Sequence, residues 1–207
     1  LANNGYMVLQ PQYRGSHNYG LQHYFAAWRD GSEAGKKMQD DKDDGALYLV
    51  EQGLADRDRL AMYGWSYGGY AALVAASREP QIYQCVIAGA AVSDMVKQVN
   101  TIANEQWFRG SGEIEQMSYR RGAVNPVDVV EDVNVPILLV HGSVDQRVQP
   151  VQAKIYYDKL DLYDKPYEFV ELKGADHFYD TLYFEHQLKL YESMIDFLQN
   201  DCGPGGL

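Results

Sequence analysis

The sequence predicts an α/β fold in which a mostly parallel sheet carries helices on both faces. Two observations support it: apolar runs of strand length alternate with helical segments, and residues able to do chemistry directly follow strands. Predicted strands cover residues 6–10, 59–63, 84–89, 136–141 and 167–172, and predicted helices cover 45–52, 70–77, 151–160 and 182–198. Residues 94–124, rich in polar side chains, are predicted to form a variable insertion near the site.

Composition and charge bound the class of protein. The 207 residues are 46% hydrophobic, so one sizeable core is expected. Lys and Arg number 18 against 29 Asp and Glu, and this acidic balance argues against nucleic acid and anionic membrane as partners. No apolar run approaches the roughly 20 residues that span a bilayer. The sequence has no metal-ligand spacing, phosphate-binding glycine loop or dinucleotide motif, so no cofactor or metal is predicted. The sequence does not determine the cellular compartment or whether the protein forms homo-oligomers.

The strand predicted at 59–63 leads into the pentapeptide GWSYG at residues 64–68, which precedes a helical segment. Strand, sharp turn and helix are the setting of a nucleophile elbow, with Ser66 as the nucleophile. The strained turn requires small neighbours, a demand that Gly64 and Gly68 meet, while Gly69 allows the helix to pack close to the strand. The alternative is an ordinary turn serine.

The next two chemical groups also follow strands. The apolar run at 135–140 ends in the sequence HGSVD, which places Asp145 on the loop that leaves this strand. The alternating segment at 167–172 is followed by KGADH, which ends at His177. For Asp145 the alternative is a helix N-cap for the segment that begins near Pro150.

His177 competes with other groups for the part of catalytic base. Asp176 is its neighbour, His141 directly follows an apolar strand and is expected to pack locally, and His186 falls on a helix surface. His17 and His23 lie in a polar aromatic loop without an evident acid partner. The order Ser66, Asp145, His177 is that of the α/β-hydrolase fold, and each gap holds a strand-plus-helix unit, so the three loops are expected at one sheet edge.

Motifs along most of the chain carry a family resemblance. They are GYMVL at 5–9, YRGS at 13–16, YG at 19–20, the helix at 43–53, ADRDRLA at 55–61, GWSYGGY at 64–70, NP at 125–126, HGSVDQRV at 141–148 and GADH at 174–177. Together they resemble the catalytic domain of the prolyl oligopeptidase family, serine peptidases that join an α/β-hydrolase domain to a β-propeller. The acylaminoacyl-peptidase and dipeptidyl-peptidase branches are the most similar.

The resemblance implies roles for individual residues. Ser66 would attack the scissile carbonyl, His177 would transfer the proton, Asp145 would hold the imidazolium, and the Tyr67 backbone N–H would donate in the oxyanion hole. Arg147 would hold a substrate carbonyl, with a surface salt bridge as its alternative.

The resemblance also implies an apolar pocket for the residue before the cut. Val148, Val92 and Met95 would line it, with ordinary core packing as the alternative. Met95 replaces the larger aromatic residues of dipeptidyl peptidases, so a preference for proline is not implied.

The resemblance implies as well that residues 1–207 are the C-terminal part of a single α/β-hydrolase catalytic domain. Its five predicted strands match the last five of that fold, whose third strand lies between those predicted at 6–10 and 59–63. The loop after this third strand would give the second oxyanion donor. The preceding strands and a β-propeller are expected upstream.

The two cysteines do not predict a disulfide framework. Cys85 is expected to be a buried small residue, and Cys202 is expected to lie in a frayed tail.

Three functions are consistent with these features. The leading hypothesis is a serine peptidase that acts on short peptides through an acyl-enzyme intermediate. An esterase or other acyl hydrolase would use the same triad. A non-catalytic module that only binds partners is the third, and the intact set of Ser66, Asp145 and His177 argues against it.

Overall fold

A computed structural model of the chain describes residues 1–27, 32–104 and 122–207. Its sheet has four parallel strands in the order β1 to β4: Ala61–Trp65, Cys85–Gly89, Ile137–Gly142 and Tyr167–Leu172. The described helices are α1 (Leu21–Phe25), α2 (Lys37–Glu51), α3 (Tyr67–Ala75), α4 (Met95–Asn104), α5 (Val151–Leu162) and α6 (Phe184–Asn200). This arrangement confirms the predicted parallel α/β sheet.

Both faces of the sheet are covered. Along β2, Val86 and Ala88 pack into the cluster that includes α3 and α5, whereas Ile87 packs on the opposite face against α6 residues such as Leu190. Burial on both faces explains why the central strands are continuous apolar runs. Helix α2 begins at Lys37, well before the predicted residue 45. The prediction was late because the first turns of the helix bury polar side chains such as Gln39 and Lys42, so the sequence shows no apolar pattern there. None of the described helices is long and apolar enough to cross a bilayer.

The prediction of a strand at 6–10 was wrong. Residues 6–10 have no ladder partner among the described residues, and the exposed side chains include Val8, which is 61% accessible. β1 pairs with β2 alone, so its other side is a sheet edge within the described residues. A strand exists through its cross-strand hydrogen bonds, and none of the described residues forms such a ladder with residues 6–10.

The expectation that Cys85 is buried was confirmed, whereas the expectation that Cys202 lies in a frayed tail was wrong. Cys85 and Cys202 form a disulfide, and both are completely buried. After α6 the tail folds back instead of fraying: the Leu207 N–H donates to the Leu198 carbonyl at 2.7 Å, and the Tyr6 hydroxyl donates to the Leu207 carbonyl. The two cysteines are 117 residues apart in the sequence, and the number of cysteines does not show which distant residues come into contact.

Candidate active site

Ser66 occupies the sharp turn between β1 and α3. Its φ of 59° and ψ of −114° lie in a region that non-glycine residues rarely adopt. The turn is held from both sides, because the Ser66 N–H donates to the Gly89 carbonyl at 2.8 Å and the Ser66 carbonyl accepts the Tyr70 N–H. This is the strained strand-turn-helix geometry expected of a nucleophile elbow.

The glycines around Ser66 are required for different reasons. A Cβ added to Gly64 would lie 2.2 Å from the Gly68 backbone, and one added to Gly69 would lie 2.5 Å from the Gly89 carbonyl oxygen. A Cβ on Gly68 itself would meet nothing within 4 Å. The predicted demand for a small side chain therefore holds at Gly64 and Gly69. At Gly68 it was wrong, because the backbone there, and not its side-chain position, fills the space beside Gly64.

Three predicted side chains meet at the carboxyl edge of the sheet. The His177 Nε2 lies 2.9 Å from the Ser66 Oγ, and the His177 Nδ1 lies 2.7 Å from the Asp145 Oδ2. An ionised carboxylate only accepts, so Nδ1–H donates to Asp145 and the Nε2 lone pair accepts the Ser66 hydroxyl. The serine hydroxyl thus faces a base that is already in the correct tautomer.

Asp145 is completely buried and well satisfied. Its Oδ1 accepts the N–H groups of Arg147 at 2.9 Å and Val148 at 2.8 Å, so it caps its own loop and not the helix that begins at Val151. Burial acts to raise the pKa of Asp145, but its contacts with His141 and His177 outweigh that effect and lower the pKa to about 2. The carboxylate is therefore charged at every pH at which an imidazole base can act.

The competing groups lie in other settings. His141 is buried, its Nε2–H donates to the Val148 carbonyl at 2.8 Å, and it lies 3.5 Å from Asp145, as expected for local packing. Asp176 accepts from the Thr181 hydroxyl and the Phe178 N–H, which shapes the turn after His177. His186 lies in the first turn of α6 and contacts the Lys173 carbonyl. Among the described residues, His177 alone bridges the serine and the acid.

Sequence reasoning missed one contact that fixes the base. The indole Nε1–H of Trp65 donates to the backbone carbonyl of His177 at 2.8 Å, and the Tyr179 ring packs edge-on against the same indole. The residue before the nucleophile thereby holds the loop that carries the histidine. No pattern pointed to this bond, because its partners are 112 residues apart.

The residues predicted to bind substrate surround the same edge. Tyr67 is the first residue of α3, where backbone N–H groups point out of the helix end. Val92, Met95 and Val148 are buried together in one cluster, against which Tyr67 packs. The Arg147 carbonyl accepts from Gln98 at 2.7 Å, which anchors its loop. These residues lie near one another, and their contacts with substrate stay predictions.

Within residues 1–27, 32–104 and 122–207, no group of three or more His, Cys, Asp or Glu side chains is arranged to hold a metal ion. Most of the insertion predicted at 94–124 lies outside the described residues, apart from α4 and a short stretch from Gly122.

Comparison of the sequence with known proteins gives consistent results. The profile of the prolyl oligopeptidase family matches residues 1–205. Dipeptidyl peptidase family member 6 of Caenorhabditis elegans is 30% identical over 78% of the chain, and dipeptidyl aminopeptidase BIII of Pseudoxanthomonas mexicana is 28% identical over 86%. Mouse dipeptidyl peptidase 8 is 31% identical over 81%. The chain spans only 23%, 26% and 18% of these three proteins, respectively.

Comparison of folds agrees. An acylaminoacyl peptidase in complex with a chloromethyl ketone superimposes with a TM-score of 0.76, at 23% identity, over 93% of this chain and 31% of the other. A puromycin-hydrolyzing peptidase of Mycobacterium tuberculosis gives 0.78, at 22% identity, over 93% and 29%. At these identities the likeness concerns the fold, which is that of the α/β-hydrolase peptidases.

Proposed function

Because the chain belongs to the prolyl oligopeptidase family, we propose that it carries the catalytic triad of a serine peptidase that hydrolyses short peptides. The observation that supports the proposal most is the unbroken hydrogen-bonded path from the Asp145 Oδ2 through His177 to the Ser66 Oγ. A serine hydroxyl becomes an effective nucleophile when an oriented base accepts its proton. Several relatives are named dipeptidyl peptidases, which favours a peptide as the substrate.

The geometry supports an acyl-enzyme mechanism. The Ser66 Oγ attacks the scissile carbonyl carbon while its proton passes to the His177 Nε2, and the charged imidazolium is stabilised by Asp145. The tetrahedral intermediate then expels the amine, which takes that proton from His177, and leaves an ester on Ser66. Water attacks this ester with His177 again as base, and the acid product leaves as the serine is restored.

The oxyanion that forms in both steps needs donors. We assign one of them to the Tyr67 N–H at the start of α3, and such a donor contributes about 3 kcal/mol of barrier lowering. The second is proposed to come from the loop after the third strand of the fold. We propose that this strand, the strands before it and a β-propeller precede these residues in the full-length protein. The small share of its relatives that the chain spans is compatible with that arrangement.

On the acyl side, the buried cluster of Val92, Met95 and Val148 favours an apolar residue before the cut. Arg147, whose loop is fixed by Gln98 and Asp145, would hold a backbone carbonyl of the peptide. A charged donor suits that task, since a hydrogen bond from a charged group to a carbonyl contributes roughly 1.5–3 kcal/mol.

One experiment tests the proposal and separates it from its nearest alternative. The full-length protein is treated with a fluorophosphonate probe, and its turnover of an aminoacyl p-nitroanilide is compared with that of the matching p-nitrophenyl ester. We expect labelling of Ser66 and turnover of both substrates. Turnover of the ester alone would indicate an esterase with the same triad, and an unlabelled Ser66 would remove the proposed function altogether.

A further inference from the structure

A groove that the mechanism does not use lies along the loop between residue 11 and helix α1. Its volume is about 610 Å³, and its lining includes Gln12, Tyr13, Arg14, Tyr19, Gln22 and His23. Sites for small ligands and peptide side chains commonly enclose a few hundred to a thousand Å³, so this groove has the size of a binding site.

The lining is aromatic and amide-rich and carries little net charge. The rings of Tyr19 and His23, with centroids 5.5 Å apart, provide flat faces, and two glutamines provide amide donors and acceptors. Arg14 and Asp41 neutralise each other through two bonds, Nε to Oδ2 at 2.7 Å and Nη2 to Oδ1 at 2.6 Å. Such a surface suits a neutral, extended peptide and gives no preference to phosphate or carboxylate ligands.

The groove is held in shape before any ligand arrives. The His23 Nε2–H donates to the Tyr13 carbonyl at 3.0 Å, and the Gly15 N–H donates to the His23 carbonyl at 3.0 Å. The pair of Arg14 with Asp41 ties the loop to α2. A fixed loop lowers the entropy that binding would otherwise cost.

The groove is connected to the residue after the nucleophile. The ring of Tyr13 stacks on that of Tyr67, with centroids 6.1 Å apart. The buried ammonium of Lys42 lies 3.5 Å from the Tyr13 centroid and 5.6 Å from the Tyr67 centroid, so both rings share one cation. A peptide that passes Ser66 could therefore continue along Tyr13 into the groove.

We infer that this groove is a subsite of the proposed peptidase, which binds a neutral residue of the peptide at some distance from the scissile bond. The inference rests on the proposed function for its substrate class. The subsite is expected to favour aromatic or proline side chains, because these stack on tyrosine and histidine rings.

Binding can be tested without catalysis. In the full-length protein with Ser66→Ala, the dissociation constant of a neutral, phenylalanine-containing hexapeptide is measured with and without Tyr19→Ala. Loss of one aromatic contact is expected to weaken binding about 10-fold, and Gln22→Glu, which adds a charge without removing bulk, is expected to weaken it as well. Tyr48→Ala is the matched control, since Tyr19 and Tyr48 are both 58% exposed and Tyr48 does not line the groove.

A second arm uses the active enzyme. Tyr19→Ala should raise KM for the hexapeptide about 10-fold with kcat unchanged, and should alter kcat/KM for a single-residue anilide less than about 2-fold. Unchanged hexapeptide binding in the Ser66→Ala background would overturn the inference, as would equal losses on both substrates. A lower Tm without weaker binding would mean that other polypeptide covers the groove, and would overturn it too. If turnover is absent throughout, the proposed function fails, and the binding arm still decides about the groove.

Discussion

The carboxyl edge of the sheet and the first 27 residues differ in where their backbone hydrogen bonds are made. Ser66, Asp145 and His177 each lie on a loop that leaves a strand of one continuous ladder. Residues 6–10 have no ladder among the described residues, and the side chains of Met7, Val8 and Leu9 are exposed. Residues 6–10 and the strands that lead to the triad loops have similar patterns in the sequence. Only those strands have pairing partners among the described residues.

The difference shows what fixes a site in space. The loops that carry the triad are held by backbone hydrogen bonds: the Ser66 N–H donates to the Gly89 carbonyl, and the Val144 N–H donates to the Ala175 carbonyl. The N-terminal loop has a backbone bond of its own, from the Gly15 N–H to the His23 carbonyl, but side chains join it to α2, through Arg14 and Asp41. We therefore expect substitutions at the sheet edge to lower the catalytic rate strongly. Substitutions at 6–10 are expected to change the unfolding free energy of residues 1–207 little.

Removal of the nucleophile is the most severe test of the sheet edge. Ser66→Ala in the full-length protein should lower kcat by about 10⁴-fold or more, because the nucleophile is removed while the fold is kept. Stopped or continuous anilide assays measure the rate, and circular dichroism checks the fold. Ser77→Ala is the control, since its hydroxyl donates to the Val74 carbonyl near the end of α3 and Ser77 is not part of the triad. Full activity of Ser66→Ala would remove Ser66 from the triad.

The second effect concerns the contribution of the disulfide to the stability of the sheet region. The disulfide joins the start of β2 to the tail after α6, so replacing Cys85 and Cys202 together with alanine should lower the free energy of unfolding of this domain by about 2–5 kcal/mol. Denaturant titration measures the loss. Dithiothreitol should produce a similar loss in the parent and none in the double variant. A parent that is indifferent to reduction would show that the two cysteines are not bridged in solution.

The third effect is a pH dependence at the sheet edge. Because the pKa of Asp145 falls to about 2 in the folded state from about 3.9 unfolded, the carboxylate contributes roughly 2–3 kcal/mol to stability. This contribution is complete above pH 4 and is lost as the pH falls from about 4 to about 2. Asp145→Asn should lack this part of the acid transition in urea melts at stepped pH. The exposed Asp180→Asn should follow the parent. Identical acid profiles for Asp145→Asn and the parent would contradict the pairing.

Much of the site was predictable because each triad residue has its own local signal. Ser66 lies between glycines that the elbow requires, and Asp145 and His177 directly follow strands with clear periodicity. Four of the five predicted strands were confirmed, because their apolar patterns are also local features of the sequence.

The remaining features depend on contacts far apart in the chain. The bond from Trp65 to the His177 carbonyl and the bridge from Cys85 to Cys202 join residues more than a hundred positions apart, and single-residue patterns do not encode such distances. The strand at 6–10 failed for a related reason. Its pattern was that of a strand, but a strand also needs a neighbour, and none of the described residues provides one.

The N-terminal segment and the sheet can be compared directly through two valines of opposite burial. Val86 in β2 is completely buried, and Val86→Ala should cost about 2 kcal/mol of unfolding free energy through lost packing and a residual cavity. Val8 is exposed, so Val8→Ala in residues 1–207 should change the unfolding free energy by less than about 0.5 kcal/mol. The same pair is then measured in the full-length protein. If further polypeptide pairs with residues 6–10 there, Val8→Ala should become as costly as a half-buried strand substitution, about 1 kcal/mol, while the cost at Val86 stays constant. Equal small costs at Val8 in both proteins would mean that residues 6–10 remain unpaired in the complete molecule, and the strand proposed beside them would have to be abandoned.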